Sequence, residues 1–213
     1  PALAERLRTI SANVMDAPNV ADTDLFCRAL EPGPLDPGMA ALPTPRIVFT
    51  GAIAAAKLDL TMLARMARLR PSWSFALVGP VGTGDPHTDV SALASEPNVH
   101  LLGLRSYTQL PAVLRAADAG LIPYARNELT NSIFPMKVYE YLAAGLPVIA
   151  TPLPALANVA AVRTAPDAEG VVALLEQALS EDSPEHRAGR SRAAREHSWD
   201  RRLEEIAAAI EAL

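Results

Sequence analysis

The chain has 213 residues, half of them hydrophobic and a fifth charged, with a net charge of −5. That length suits one large domain with appendages, and the mild acidity excludes the basic surface that a nucleic-acid partner needs. The lone Cys27 excludes an internal disulfide, and His87, His100, His186 and His197 are scattered without metal-ligand spacing, so neither a metal site nor a cofactor is expected.

Leu3, Leu7 and Ile10 suggest a short amphipathic helix, and Pro18, Asn19 and Asp22 supply turn chemistry after it. Glu31 to Pro45 holds five prolines and two glycines, which reads as a linker or surface loop. Strands are then expected at Arg46–Ile53, Ser74–Gly79, Asn98–Gly103, Ala119–Tyr124 and Leu146–Thr151, with a short one at Ala161–Ala165. Between them fall helices marked by Leu58, Met62, Arg65, Met66 and Leu69, by Tyr107–Ala117, by Pro135–Ala144 and by Asp167–Ser180. Such alternation predicts right-handed crossovers and an α/β fold with a doubly wound parallel sheet, whose ligands sit beyond the strand C-termini. Gly51, Gly79, Gly103 and Ser132 all fall near that rim.

The glycine run from Gly79 to Gly84 is G-x-x-G-x-G followed by Asp85-Pro86, not the strand-to-helix fingerprint of a dinucleotide site, and reads as a rim loop. The tail carries a basic run, HRAGRSRAAREH, read as a solvated helix face, then an apolar stripe on Leu203, Ile206, Ile210 and Leu213. No stretch offers the roughly 20 uninterrupted apolar residues of a membrane span, and no signal sequence follows Pro1, so a soluble, cytoplasmic protein is expected. Pro1 is also no natural start, which implies a longer precursor.

The chain turns on Asn131 to Pro152. Pro135 suits the first turn of a helix and Gly145 the C′ position beyond its end. Val138, Tyr141, Leu142 and Gly145 form a packed stripe, leaving Lys137 and Glu140 together on another face. A helix start and a lysine attract phosphate, and a carboxylate one turn on accepts from sugar hydroxyls. The competing reading is an i, i+3 surface ion pair of no functional consequence.

This stretch resembles the donor-sugar signature of GT-B glycosyltransferases of the group 1, GT4-like families. Phe49-Thr50-Gly51-Ala52-Ile53, Asp59 and the run from Pro135 to Tyr141 are similar to one subgroup of them. Pro18-Asn19-Val20-Ala21-Asp22 and Phe26 resemble the turn that leads from the N-terminal to the C-terminal domain. The resemblance implies the C-terminal half of a GT-B fold, with residues 1–45 as connector and linker, 46–182 as the Rossmann-like donor-binding domain and 183–213 as C-terminal helices. It implies a nucleotide diphosphate sugar, a UDP-sugar first, as donor. The acceptor, a glycan or lipid-linked chain, would be held by an N-terminal domain outside this chain, with peripheral membrane association of the whole protein and a role in cell-surface polysaccharide synthesis.

By the same resemblance Glu140 holds the ribose, and Lys137 faces the diphosphate and stabilises it as leaving group. Gly51 and Lys57 approach the phosphates, although Ala52 stands where relatives have Arg. Arg105 and Tyr107 lie by the loop that cups the base. Thr130, Asn131, Ser132, Ile133, Phe134 and Met136 surround the diphosphate and sugar, with Ser132 where many retaining members place a first Glu. Two alternatives stand beside this reading: a GT-B UDP-sugar epimerase, and a binding module without catalysis.

Overall fold

The structure, a computed structural model, describes residues 2–211. The side chain of Leu3 and the whole of Leu213, both assigned above to apolar stripes, lie outside the described residues. In chain order come α1 (Ala2–Arg8), α2 (Thr23–Phe26), α3 (Pro37–Ala40), β1 (Arg46–Thr50), α4 (Leu60–Leu69), β2 (Ser74–Val78), α5 (Ser91–Ala94) and β3 (Val99–Leu101). There follow α6 (Leu110–Arg115), β4 (Ala119–Ile122), α7 (Glu128–Asn131), α8 (Lys137–Ala143), β5 (Val148–Ala150), β6 (Val162–Thr164), α9 (Ala168–Glu181), α10 (Pro184–Ala194) and α11 (Trp199–Glu211).

The six strands form one sheet in the order β3-β2-β1-β4-β5-β6, and every adjacent pair is parallel. This is the doubly wound α/β arrangement. The chain leaves β1 toward β2 and β3, then returns to β4 and runs the other way, so the crevice at the C-terminal ends of β1 and β4 is the topological switch point. Strand β2 is buried along its whole length, as a central parallel strand covered on both faces must be.

Helix α8 is fixed over that crevice by Tyr141. Its ring lies against Gly120 of β4 so closely that any Cβ there would collide with it. Its hydroxyl accepts from Thr50 N–H at 2.7 Å and lies 3.1 Å from Thr50 Oγ1. At the other end Gly145 takes φ +78°, Gly145 N–H donates to Leu142 O at 2.9 Å and Leu146 N–H to Tyr141 O at 2.9 Å. These two bonds are the Schellman closure of the helix. Arg190 Nε of α10 adds a bond to Gly145 O at 2.8 Å.

Three details depart from the sequence reading. Arg65 is not part of the buried stripe of α4: Met62, Leu63, Met66 and Ala67 are, while Arg65 faces outward and pairs with Glu169 of α9 at 2.7 Å. The Pro-rich stretch, expected as a linker or surface loop, is packed against the core. Met39 and Phe26 are fully buried in the same core as the sheet, and Arg115 donates to the carbonyls of Arg28, Glu31 and Pro34 at 2.6–2.8 Å. Nor is the basic run wholly solvated, because Arg187 and Arg190 both bind Asp182. Helix α11 has no buried residue, and Trp199, Leu203 and Ile210 are exposed on it.

Candidate functional site

At the switch point the chain leaves β1 through Gly51, whose φ of +136° is one that glycine alone adopts freely. A Cβ built there would sit 2.5 Å from Lys137 Cε, so the Lys137 side chain lies across the bare α-carbon. Lys57 comes from the turn that follows, and its Nζ stands 5.1 Å from the ring centroid of Tyr124, just beyond β4. Burial and the neighbouring charge of Lys137 both hold the Lys57 ammonium below its usual pKa. Neither lysine has a carboxylate within 4.0 Å among the described residues. Two neighbouring cations, neither held in a salt bridge among the described residues, suit a polyanion.

Glu140, one turn beyond Lys137, is only 4% exposed. Its carboxylate has no hydrogen-bond donor among the described residues, and burial pushes its pKa up, partly opposed by Lys137. The surface ion pair is therefore excluded: Glu140 is inside, and unpaired. Its negative charge is felt by three phenols. Tyr107 is pushed up to about 12, by burial first and then by Glu140 and Asp22. Tyr124 and Tyr141 are raised as well, again by burial first. The carboxylate oxygens are not sealed from solvent, and their acceptor capacity is open to a ligand's hydroxyls.

The loop before α8 adds backbone donors. The N–H groups of Ser132 and Ile133 are occupied by Leu129 O and Thr130 O, both at 3.2 Å. Those of Phe134, Met136 and Lys137 have no acceptor among the described residues. Asn131, Ser132 and Met136 are exposed there, while Ile133 and Phe134 are half-buried. Phe134 stacks on Tyr139, and its carbonyl accepts from Asn19 of the N-terminal turn at 3.0 Å.

Two of the sequence-assigned side chains hold the scaffold. Thr130 is fully buried, its hydroxyl donating to Ala125 O and accepting from Asn127 N–H at 3.1 Å, which leaves it closed to a ligand. Arg105 donates from Nε to Asp36 at 2.6 Å and from one terminal nitrogen to Leu102 O and Leu104 O at 2.7 and 3.2 Å. Its guanidinium is thus committed to the fold. Tyr107 stands edge-on to Phe26 at 5.4 Å, partly exposed. Tyr124, expected as a strand end, lies under the Lys57 ammonium and close enough to Glu140 to feel its charge; the signal in the sequence is its place just after Pro123.

A cavity of about 440 Å³ lies elsewhere, at the N-terminal ends of β5 and β6, lined by Val148, Arg163, Glu181, His186 and Arg190. Its charges are already paired: Arg163 with Glu181 and Arg190 with Asp182. Among the described residues no three His, Cys, Asp or Glu side chains gather as a metal site, and no helix is long and apolar enough to cross a membrane.

Two lysines and one buried carboxylate thus gather at the switch point of a parallel α/β sheet, the crevice at the strand C-termini. The profile of the group 1 glycosyl transferases matches residues 44–181, and the chain belongs to that family. TuaH of Bacillus subtilis, assigned as a teichuronic acid biosynthesis glycosyltransferase, is 38% identical over 100 residues, covering 46% of this chain and 24% of that protein. Among solved structures, Anabaena HepE in complex with UDP and glucose superposes with a TM-score of 0.67 at 16% identity, over 92% of this chain and 56% of that one. Sucrose-phosphate synthase from Thermosynechococcus elongatus does so with a TM-score of 0.67 at 18% identity, over 92% and 51%. These likenesses show the fold. The chain spans about a quarter of TuaH and about half of the two structures.

Proposed function

We propose that the chain is the donor-binding part of a glycosyltransferase and takes a nucleotide diphosphate sugar, a UDP-sugar first. The observation that carries this is the pair of unneutralised ammonium groups, Lys57 and Lys137, beside a buried carboxylate that has no donor, all at the switch point. The diphosphate fits against Gly51 between the two lysines, with the free N–H groups of Phe134, Met136 and Lys137 as further donors. The ribose hydroxyls donate to Glu140, and Tyr124 floors the space between. Asn131, Ser132, Ile133 and Met136 border the sugar. The complex of HepE with UDP and glucose supports UDP as the carrier.

In the reaction the bond from the sugar's C1 to the diphosphate oxygen breaks and one to an acceptor hydroxyl oxygen forms, the acceptor's proton passing to a base. Charge grows on the departing diphosphate, where fixed ammonium and N–H donors stabilise it without reorganising. Residues 46–182 hold the donor, residues 1–45 connect to an acceptor domain, and residues 183–213 close the fold. The acceptor is a cell-surface polysaccharide or its lipid-linked precursor, in keeping with the role assigned to TuaH, and transfer takes place in the cytoplasm at the membrane face.

Calorimetric titration with UDP, GDP and ADP tests this. The expected result is one saturable site that prefers UDP and is lost in Glu140→Ala with the fold retained. Equal affinity in wild type and Glu140→Ala, or no binding of any of the three, contradicts it.

A further inference from the structure

Ala54-Ala55-Ala56-Lys57 is a run of strong helix formers, yet it makes one turn and stops. Lys57 N–H donates to Ala54 O at 2.9 Å, then Leu58 pairs with Tyr124 and α4 begins afresh at its cap, Asp59. The cause is a strap from the glycine-rich loop after β2. Pro80 O accepts from Ile53 N–H and Ile53 O from Gly82 N–H, both at 2.9 Å, which lays the loop alongside the turn. Gly82 and Gly84, at φ +75° and +80°, then curl it back so that Asp85 and Thr88 face the turn. Asp85 Oδ2 accepts from Ala56 N–H at 2.9 Å and from Thr88 Oγ1 at 3.0 Å, and Thr88 Oγ1 accepts from Ala55 N–H at 3.0 Å. From the opposite side Asn127 Nδ2 donates to Ala56 O at 3.0 Å and Ala125 N–H to Lys57 O at 2.9 Å.

We propose that Asp85, assisted by Thr88, is a positioning residue that fixes the 54–57 turn so that Lys57 presents its ammonium to the diphosphate site beside Lys137. The carboxylate pairs with no cation among the described residues; it is used by the Ala56 N–H of the turn and by the Thr88 hydroxyl. That use matters because Lys57 and Lys137 repel one another, and a lysine on a loose turn would swing its flexible four-carbon stem into water. The glycine run with the wrong spacing for a dinucleotide site therefore has work of its own, which is to carry Asp85 to the Lys57 turn. This rests on the reading of Lys57 as a diphosphate contact.

The test is a double-mutant cycle on the 213-residue chain with UDP, alongside uridine as the ligand that lacks phosphate. Lys57→Ala should weaken UDP about tenfold, the loss of one charge-assisted contact worth ~1.4 kcal/mol. Asp85→Ala should weaken it about three- to tenfold, Asp85→Asn, which keeps an acceptor for Ala56 N–H, by less than about twofold, and the double Ala variant no more than Lys57→Ala alone. Uridine binding should be unchanged in all four. In parallel, the Lys57 Cε resonance followed against pH without ligand should titrate higher in Asp85→Ala, toward an ordinary lysine, as the side chain moves into solvent. Full UDP affinity in Asp85→Ala, losses that multiply in the double variant, or an unmoved Lys57 titration would each overturn the inference. A wild-type chain that binds no UDP would instead overturn the reading beneath it.

Discussion

Replacing Glu140 by Leu should make the unliganded protein more stable and its nucleotide binding worse. Glu140 is 4% exposed and its carboxylate receives no hydrogen bond among the described residues, so it carries a desolvation cost that Lys137 partly offsets. Removing one ion that burial desolvates relieves a cost on the order of several kcal/mol, and the lost attraction to Lys137 trims the gain to about 1–2 kcal/mol. For a chain of this size each kcal/mol is a rise of about 2–4 °C in Tm. The pH dependence follows from the raised pKa. The folded state holds the Glu140 proton more tightly than the unfolded one, whose value is near 4.5, so the penalty is absent below that pH. It grows as pH rises through the unfolded value and is complete above the folded one. Thermal melts of both proteins without nucleotide should therefore nearly coincide at about pH 4 and separate at about pH 8. UDP affinity should fall at least about tenfold, since hydrogen bonds to a charged acceptor are worth ~1.5–3 kcal/mol. A variant that melts lower than wild type at neutral pH, or by a margin that ignores pH, would refute the reasoning.

Gly51→Ala should act as a remote Lys137 variant: the new Cβ displaces Lys137 Cε from 2.5 Å and strains a backbone at φ +136°, costing about 1–3 kcal/mol in denaturant unfolding and weakening UDP as Lys137→Ala does. Asp36→Asn should cost about 2 kcal/mol at neutral pH, read by urea unfolding, because it breaks the pair with Arg105. The bond from Arg105 holds the Asp36 pKa down, so the wild-type advantage is present above the ordinary carboxylate value. It is lost as pH falls through the depressed folded pKa, and the two proteins should converge in acid.

The strands were legible because β-branched runs, Gly ends and spacing coincide, and their ends moved for local reasons. The fourth strand stops at Ile122 where Ala119–Tyr124 was expected, since Pro123 brings no N–H to the ladder. Pro147 and Pro152 trim β5 in the same way. Lys137 and Glu140 were legible as neighbours on one face of a helix, but the burial of Glu140 was not, because it depends on the fold bringing Tyr107 and Tyr124, distant in sequence, close to it. Thr130 was read as a contact although Asn127 three residues earlier already spells a capping box, a local pattern that takes the hydroxyl. Arg105 could not be resolved locally, because Asp36 lies 69 residues away in a stretch that reads as linker. Asp85 was hidden likewise: the sequence shows a glycine-rich loop ending in Asp-Pro, and only the fold shows which N–H it meets.

The most direct measurement is a crystal structure of the chain with UDP. The account predicts the diphosphate against Gly51 between Lys57 and Lys137, and the ribose hydroxyls within hydrogen-bond distance of Glu140. A nucleotide seated instead in the cavity of Arg163 and Arg190, or at the rim with Glu140 still without a donor, would contradict it.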